Sequence, residues 1–600
     1  MKKRNEIEEK YKWDLSGYYN SQADFESDFS FVKQNYSKLK DYENKLNEKS
    51  SIYDFLKLDE EISRKLEKLY VYASLKAKED MTNSACQKTL KDIEKLSVDV
   101  SEVCSFSAPE LSELSDEFLM ELSQDAKFAD FDLFFKDIIK NKKHMLSKKE
   151  ERILALTGEF SGEFGDIFDM FDTADIQFDD ICDSNGKKYE LNNSSYYQYI
   201  QSNDRTLRKN AMKTLNKKYG ELKSTLSANY MGNVKSDYFY AKVRGFSSAL
   251  ESSLYSEDVN KDVYNTLIKS VNKNLQSFHR FFDLKRKLLG NEKFAIYDIH
   301  APTSSAQFNY EFEKAFELVC QALSVLGEDY IDVLNLAKNK QWIDVYANQG
   351  KDTGAFSWGA YDANPVVLLN YENTTSCVFT LAHELGHMMH TYYSNKSQCY
   401  QKAGYEIFVA EVASTVNEML LALHLLNNSK SDKDKLFYID YILKMFNSTV
   451  FRQTMFAEFE QEAHSRYEKS EDTTTKALCD LYYNLNKTYF GDKVELVDEI
   501  QYEWLRIPHF YTSFYVYKYA TGLISAFYIA NKIFSGDKQA IANYRKFLTL
   551  GATMPPVDLL KVAGVNLSET STFDYVFSQL EKLLENYEQT INSISKNCVQ

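Results

Sequence analysis

The sequence predicts a mainly α-helical protein. Two observations carry this. Helix breakers are scarce, with 20 Gly and 6 Pro in 600 residues, where average usage gives about 42 and 30. Apolar residues also recur at helical spacing along most of the chain. Ile62, Leu66, Leu69 and Ala73 fall at i, i+4, i+7 and i+11 with charges between them. Similar patterns run through residues 86–125, 205–245, 260–290, 308–338, 430–467 and 574–590. Such stripes face a packed core and carry no chemistry.

Two places break the helical period. Ile176–Ile181 and Lys188–Leu191 flank Asp183-Ser184-Asn185-Gly186, and Asn-Gly between alternating segments predicts a hairpin. A boundary near residues 176–203 divides an N-terminal helical region, 1–200, from the remainder, 201–600. Further on, Trp342–Tyr346, Gly354–Tyr361 and Val366–Tyr371 read as three short strands, punctuated by Gly350, Gly354 and Pro365.

Composition excludes several classes. Hydrophobic residues are 44% and charged residues 27%, a soluble globular balance. The net charge of −16 argues against nucleic acid as a partner, since phosphate binding needs a basic surface. The basic start, Met1 to Arg4, has no apolar run behind it and is not a secretory signal. No stretch approaches the uninterrupted apolar length of a membrane span. The eight Cys are scattered without a CxxC pair, so free thiols in a reducing cytoplasm are expected.

The chemistry lies in His383-Glu384-Leu385-Gly386-His387. On a helix, i and i+4 share a face, so both imidazoles can bind one Zn²⁺. Glu384 projects beside the metal, where it can take a proton from a zinc-bound water. Thr374, Thr375 and Ser376 offer N-caps. His390, at i+7 from His383, reads as a hydrogen-bonding group that orients a ligand. A catalytic zinc takes three protein ligands and keeps one position open. The HExxHxxGxxH extension fails, because His390 and Tyr393 stand where Gly and His are needed. A downstream carboxylate is the alternative, and spacing alone leaves Glu406, Glu411 and Glu418 open.

The chain resembles the oligoendopeptidase F group of the thimet-oligopeptidase-type zinc metallopeptidases. The resemblance rests on Trp13-Asp14-Leu15, Asp204-Arg205 through Arg208, Arg244-Gly245-Phe246, Val367–Tyr371 with Phe379–His390, Phe408–Thr415, and Pro508–Tyr511 with Phe514–Gly522. It covers nearly the whole chain. It implies a two-lobed helical body with a small sheet beside the HExxH helix and a deep central cleft. It also implies one Zn²⁺ on His383, His387 and Glu411, and Glu384 as general base. His509 and Tyr517 become the oxyanion donors, with Tyr511 and Tyr515 as competitors and Tyr519 as core. The expected activity is cleavage of internal bonds in short unfolded peptides, and Gly359-Ala360-Tyr361 can pair with such a peptide as an edge strand. The alternatives are a zinc carboxypeptidase or dipeptidyl carboxypeptidase and, in another class, a peptide-binding scaffold. Glu384 argues against the scaffold, which has no use for a general base.

Overall fold

The sparse helix breakers produce long helices joined by short turns. The computed structural model describes residues 2–303 and 309–597. Each periodic stretch becomes helix, interrupted where the sequence permits. Residues 205–245 form Arg205–Glu221 and Lys223–Val243, and residues 430–467 form Asp432–Met445, a π-turn and Arg452–Glu468. The 308–338 stretch divides at Gly327, whose φ of +113° suits glycine. Its first residue lies outside the described residues, as does Cys598. The hairpin forms as expected, Ile181–Cys182 pairing antiparallel with Lys188–Tyr189 across Gly186 at φ +78°.

The chain makes two compact units, and neither ends at residue 200. The first comprises residues 1–148, 307–421 and 529–564; the second comprises 149–306, 422–528 and 565–600.

In the first unit, the long helix Lys49–Glu79 buries Ile52, Phe55, Ile62 and Leu69. The three expected strands pair into one sheet. Val366–Leu368 lies in the centre, parallel to Ile343–Asp344 and antiparallel to Phe356–Trp358. The N-terminal segment is stitched to this sheet. The Val345 N–H donates to Tyr11 O (2.9 Å) and the Asp14 N–H to Gln341 O (2.7 Å). Buried Asp344 takes Lys351 at 2.6 Å and Arg4 at 2.6 Å, so two cations compensate the desolvated carboxylate. This sheet leads through Thr374 into the HExxH helix.

The second unit explains other residues of the resemblance as structural. Asp204 caps its helix, accepting from the Leu207 N–H at 2.8 Å. Arg205 and Arg208 both grip Asp298, which has no exposed surface. Arg244 holds Glu151 in a two-point ion pair at 2.9 and 3.0 Å, and Gly245, at φ +80°, follows the helix end.

Among the described residues one helix, Ile407–Asn427, is long and apolar enough by composition to cross a membrane, although Glu411, Asn417 and Glu418 interrupt its apolar run. However, 67% of its apolar window is buried, and it carries Glu411 and Glu418. It is a core helix.

Candidate metal centre

The HExxH helix, Thr375–Ser397, starts where the Thr374 side chain accepts the Cys377 N–H. Val378, Leu381, Ala382, Leu385 and Met388 fix its buried face, leaving His383 and His387 half-buried on one side. The helix Ile407–Asn427 starts at exposed Glu406, whose carbonyl takes the Val409 and Ala410 N–H groups. Glu406 therefore marks a helix start, and its carboxylate is not among the three ligand atoms that lie together.

The two helices meet backbone to backbone at Gly386. A Cβ there would stand 2.5 Å from Ser414 Cα and 2.7 Å from Ala413 O. Beside it, the Asn417 amide donates to Ala382 O at 3.2 Å and accepts the Tyr330 hydroxyl at 3.2 Å. This close approach brings Glu411 to the histidines. Glu411 Oε2 lies 3.3 Å from His383 Nε2 and 3.5 Å from His387 Nε2, and the two Nε2 atoms are 3.1 Å apart. A tetrahedral ion with bonds of about 2.0–2.1 Å spaces its ligands about 3.3–3.4 Å apart. The three atoms match one face of such a tetrahedron and leave its fourth corner free. Among the described residues they are the one group of three or more ligand side chains placed to hold an ion.

The electrostatics also call for a cation. Burial disfavours a charge on His383, but Glu411 and Glu418 outweigh it and push the imidazole up to about 10. Hydrogen bonds from His383 and His387 hold Glu411 well below the carboxylate range. Glu418 accepts from His383 Nδ1, which points Nε2 at the centre. Glu411 and Glu418, seven residues apart on one helix face, thus take opposite sides of the same imidazole. Glu384 is 6% exposed, and burial first of all raises its carboxyl above the usual range.

Glu418→Ala is expected to keep the fold and weaken metal binding about 10- to 100-fold, read by competition against a chromogenic chelator. Unchanged affinity would remove Glu418 from the centre.

His390 is a correction. Seven residues carry it about 10 Å along the axis from His383. It stacks on Tyr405, with ring centroids 3.8 Å apart and planes 10° apart. Its buried Nδ1 lacks a hydrogen-bond partner, and burial lowers its pKa to about 3. It is a packing residue.

Gly359-Ala360-Tyr361 is a second correction. The strand ends at Trp358. Beyond it, the Tyr361 N–H goes to Glu67 (3.2 Å), and Ala360 O takes Asn395 (3.2 Å). These backbone groups are already engaged, and the edge strand is Phe356–Trp358.

His509 and Tyr517 lie in the second unit. His509 is half-buried, with Nε2 3.1 Å from the Tyr519 hydroxyl. Tyr517 has no exposed surface, and its hydroxyl donates to Glu257 at 3.1 Å. Tyr511 accepts from Asn229 at 3.2 Å and stacks on Phe168. Of the expected tyrosines, Tyr515 packs on His509, with centroids 6.1 Å apart; Tyr519, read as core, is its hydrogen-bonding partner.

A helical scaffold that holds His-Glu-x-x-His against a carboxylate on a following helix defines a metallopeptidase. Comparison with known proteins agrees. The peptidase family M3 model matches residues 198–578, and the oligopeptidase F model matches residues 110–178. The chain is 35% identical to oligopeptidase PepF of Bacillus subtilis over 597 residues, covering 99% of this chain and 89% of that one. It is similar to the crystal structure of a putative peptidase from Chlamydophila abortus, with TM-score 0.94, 33% identity, and coverage of 98% and 100% of the two chains. It is also similar to the crystal structure of oligoendopeptidase-F from Enterococcus faecium, with TM-score 0.73, 31% identity, and coverage of 95% and 99%. The chain belongs to peptidase family M3, in its oligoendopeptidase F group, and is a metalloendopeptidase.

Proposed function

We propose that this chain is a zinc-dependent oligoendopeptidase acting on short unfolded peptides. The observation that carries this is the tetrahedral face of His383, His387 and Glu411 with buried Glu384 next in sequence. Two imidazoles and one carboxylate with a free corner suit catalytic zinc. Zinc held there supplies Lewis acidity and lowers the pKa of its bound water. Glu384 takes the attacking water's proton and hands it to the leaving amine. His509, hydrogen-bonded to Tyr519, supplies a donor where negative charge develops on the carbonyl oxygen. Tyr517 is left out of this set because its hydroxyl is committed to Glu257. The edge strand Phe356–Trp358 offers backbone pairing to an extended peptide, which tolerates many side chains. The seven described cysteines are free thiols, which supports a reducing cytoplasm.

The test is cleavage of a terminally blocked, internally quenched peptide of about eight residues, a size suited to a concave site. Internal cleavage is expected, lost on chelation and restored by zinc. Cleavage only of peptides with free carboxyl termini would replace the reading with an exopeptidase.

A further inference from the structure

In the second unit, a cluster of buried Glu460 and His464 with Asp237 holds the segment that carries His509, and the chemistry above does not use it. The short turn Pro508–Tyr511 continues through Thr512 and Ser513 to Phe514, then into the helix that starts at Tyr517. Phe514 has φ +60°. An aromatic residue in this left-handed region costs about 1–3 kcal/mol and persists only where its surroundings enforce it.

Two helices enforce it. Lys223–Val243 presents Asn229, Asn233 and Asp237, spaced by four and so on one face. Asn229 donates to the Tyr511 hydroxyl (3.2 Å), and Asn233 to Ser513 Oγ (3.2 Å). Ser513 Oγ donates in turn to Asp237 (2.6 Å). Arg452–Glu468 presents Glu460 and His464, one turn apart. Glu460 Oε1 accepts the Phe514 N–H at 2.8 Å, and the His464 ring packs on Phe514 with centroids 4.6 Å apart. His464 joins the two helices, Nε2 facing Asp237 at 3.2 Å and Nδ1 facing the Glu460 carbonyl at 2.9 Å. A carbonyl and a carboxylate only accept, so both ring nitrogens donate and His464 is an imidazolium. Its charge is matched by Asp237. Glu460 has no exposed surface, and its Oε2 has no partner. This favours the neutral acid.

We propose that Glu460, backed by His464 and Asp237, is a positioning residue for peptide hydrolysis. It locks the Ser513–Phe514 turn in its strained form and so fixes His509 against Tyr515 and Tyr519. A relaxed backbone at Phe514 would redirect the chain after it and pull both tyrosines from His509. This inference rests on the role given to His509 above.

It also gives a pH signature. Titratable groups facing Glu460 are His464, Asp237, Tyr230 and Tyr264. Burial first of all pushes Glu460 up to about 8. A raised folded pKa means that burying the neutral acid stabilises this region fully below the ordinary carboxylate value, and that this stabilisation is lost as pH rises through about 8.

The experiment uses the full-length, metal-loaded enzyme and the blocked quenched peptide. Glu460→Met keeps the volume but removes the acceptor; Glu460→Gln keeps the acceptor and cannot ionise. Glu460→Met is expected to lower kcat at least about 10-fold, with KM within about 3-fold and metal content unchanged. Glu460→Gln is expected to keep wild-type kcat at neutral pH and to lack the alkaline decline expected of wild type. Wild-type kcat in folded, metal-loaded Glu460→Met would overturn the proposal. If Glu460→Met does not fold, Ser513→Ala decides: lost kcat supports the clasp, and wild-type kcat overturns it. His509→Ala separates the two levels. If it keeps full activity, the role of His509 falls, and this inference with it. If it loses activity while Glu460→Met does not, the clasp alone falls.

Discussion

Glu384→Gln is expected to bind its metal as wild type does and to lose turnover, kcat falling about 10²- to 10⁴-fold. Gln fills the same volume and keeps a carbonyl oxygen, but it cannot accept the water's proton. The ligand atoms come from His383, His387 and Glu411, so zinc stoichiometry stays at one while the blocked peptide survives. Elemental analysis beside steady-state kinetics reads both quantities on one preparation. KM should move little, because the lost interaction exists only in the transition state. A variant that turned over within a few-fold of wild type would dismiss Glu384 as the base; one that lost its zinc would make Glu384 part of the metal site.

The same cluster shows which features the sequence disclosed. The i, i+4 spacing of His383 and His387 is a local property of one helix, so it was readable without a fold. The choice among carboxylates was not. Glu411 and Glu418 share a face, and only the crossing of two helices sends one to Nε2 and the other to Nδ1 of His383. The resemblance to a family chose Glu411; periodicity had left it open. Tyr517 shows a different obstacle. Phe514 at φ +60° breaks any regular count of residues between His509 and the next helix. Which tyrosine turned inward was therefore invisible, and Tyr519 rather than Tyr517 reaches His509. The two units were hidden for a related reason. Each gathers separate stretches of chain, and hydrophobic period reports which face of a helix is buried, not what it is buried against.

Gly386 is the residue whose importance a sequence reading passes over, although a glycine inside a helix costs about 1 kcal/mol relative to Ala and so asks for a reason. The reason is the contact with Ser414. A Cβ at 2.5 Å from Ser414 Cα cannot be absorbed by a side-chain rotation, because the atoms it meets are backbone. Gly386→Ala must therefore push the HExxH helix and the Glu411 helix apart by about 1 Å to regain ordinary van der Waals spacing. The metal site is sensitive to that movement, since ligand distances hold to about ±0.2 Å. Overpacking of this kind costs about 1–3 kcal/mol of stability. Its larger effect falls on the centre, where a displacement of about 1 Å costs about 10²-fold in rate. The expected variant is folded, with a lower denaturation midpoint, weaker zinc affinity and residual activity that excess zinc only partly restores. Gly386→Ala with wild-type zinc affinity and kcat would show that the two helices have slack at this crossing, and that Glu411 reaches the histidines without the close backbone approach.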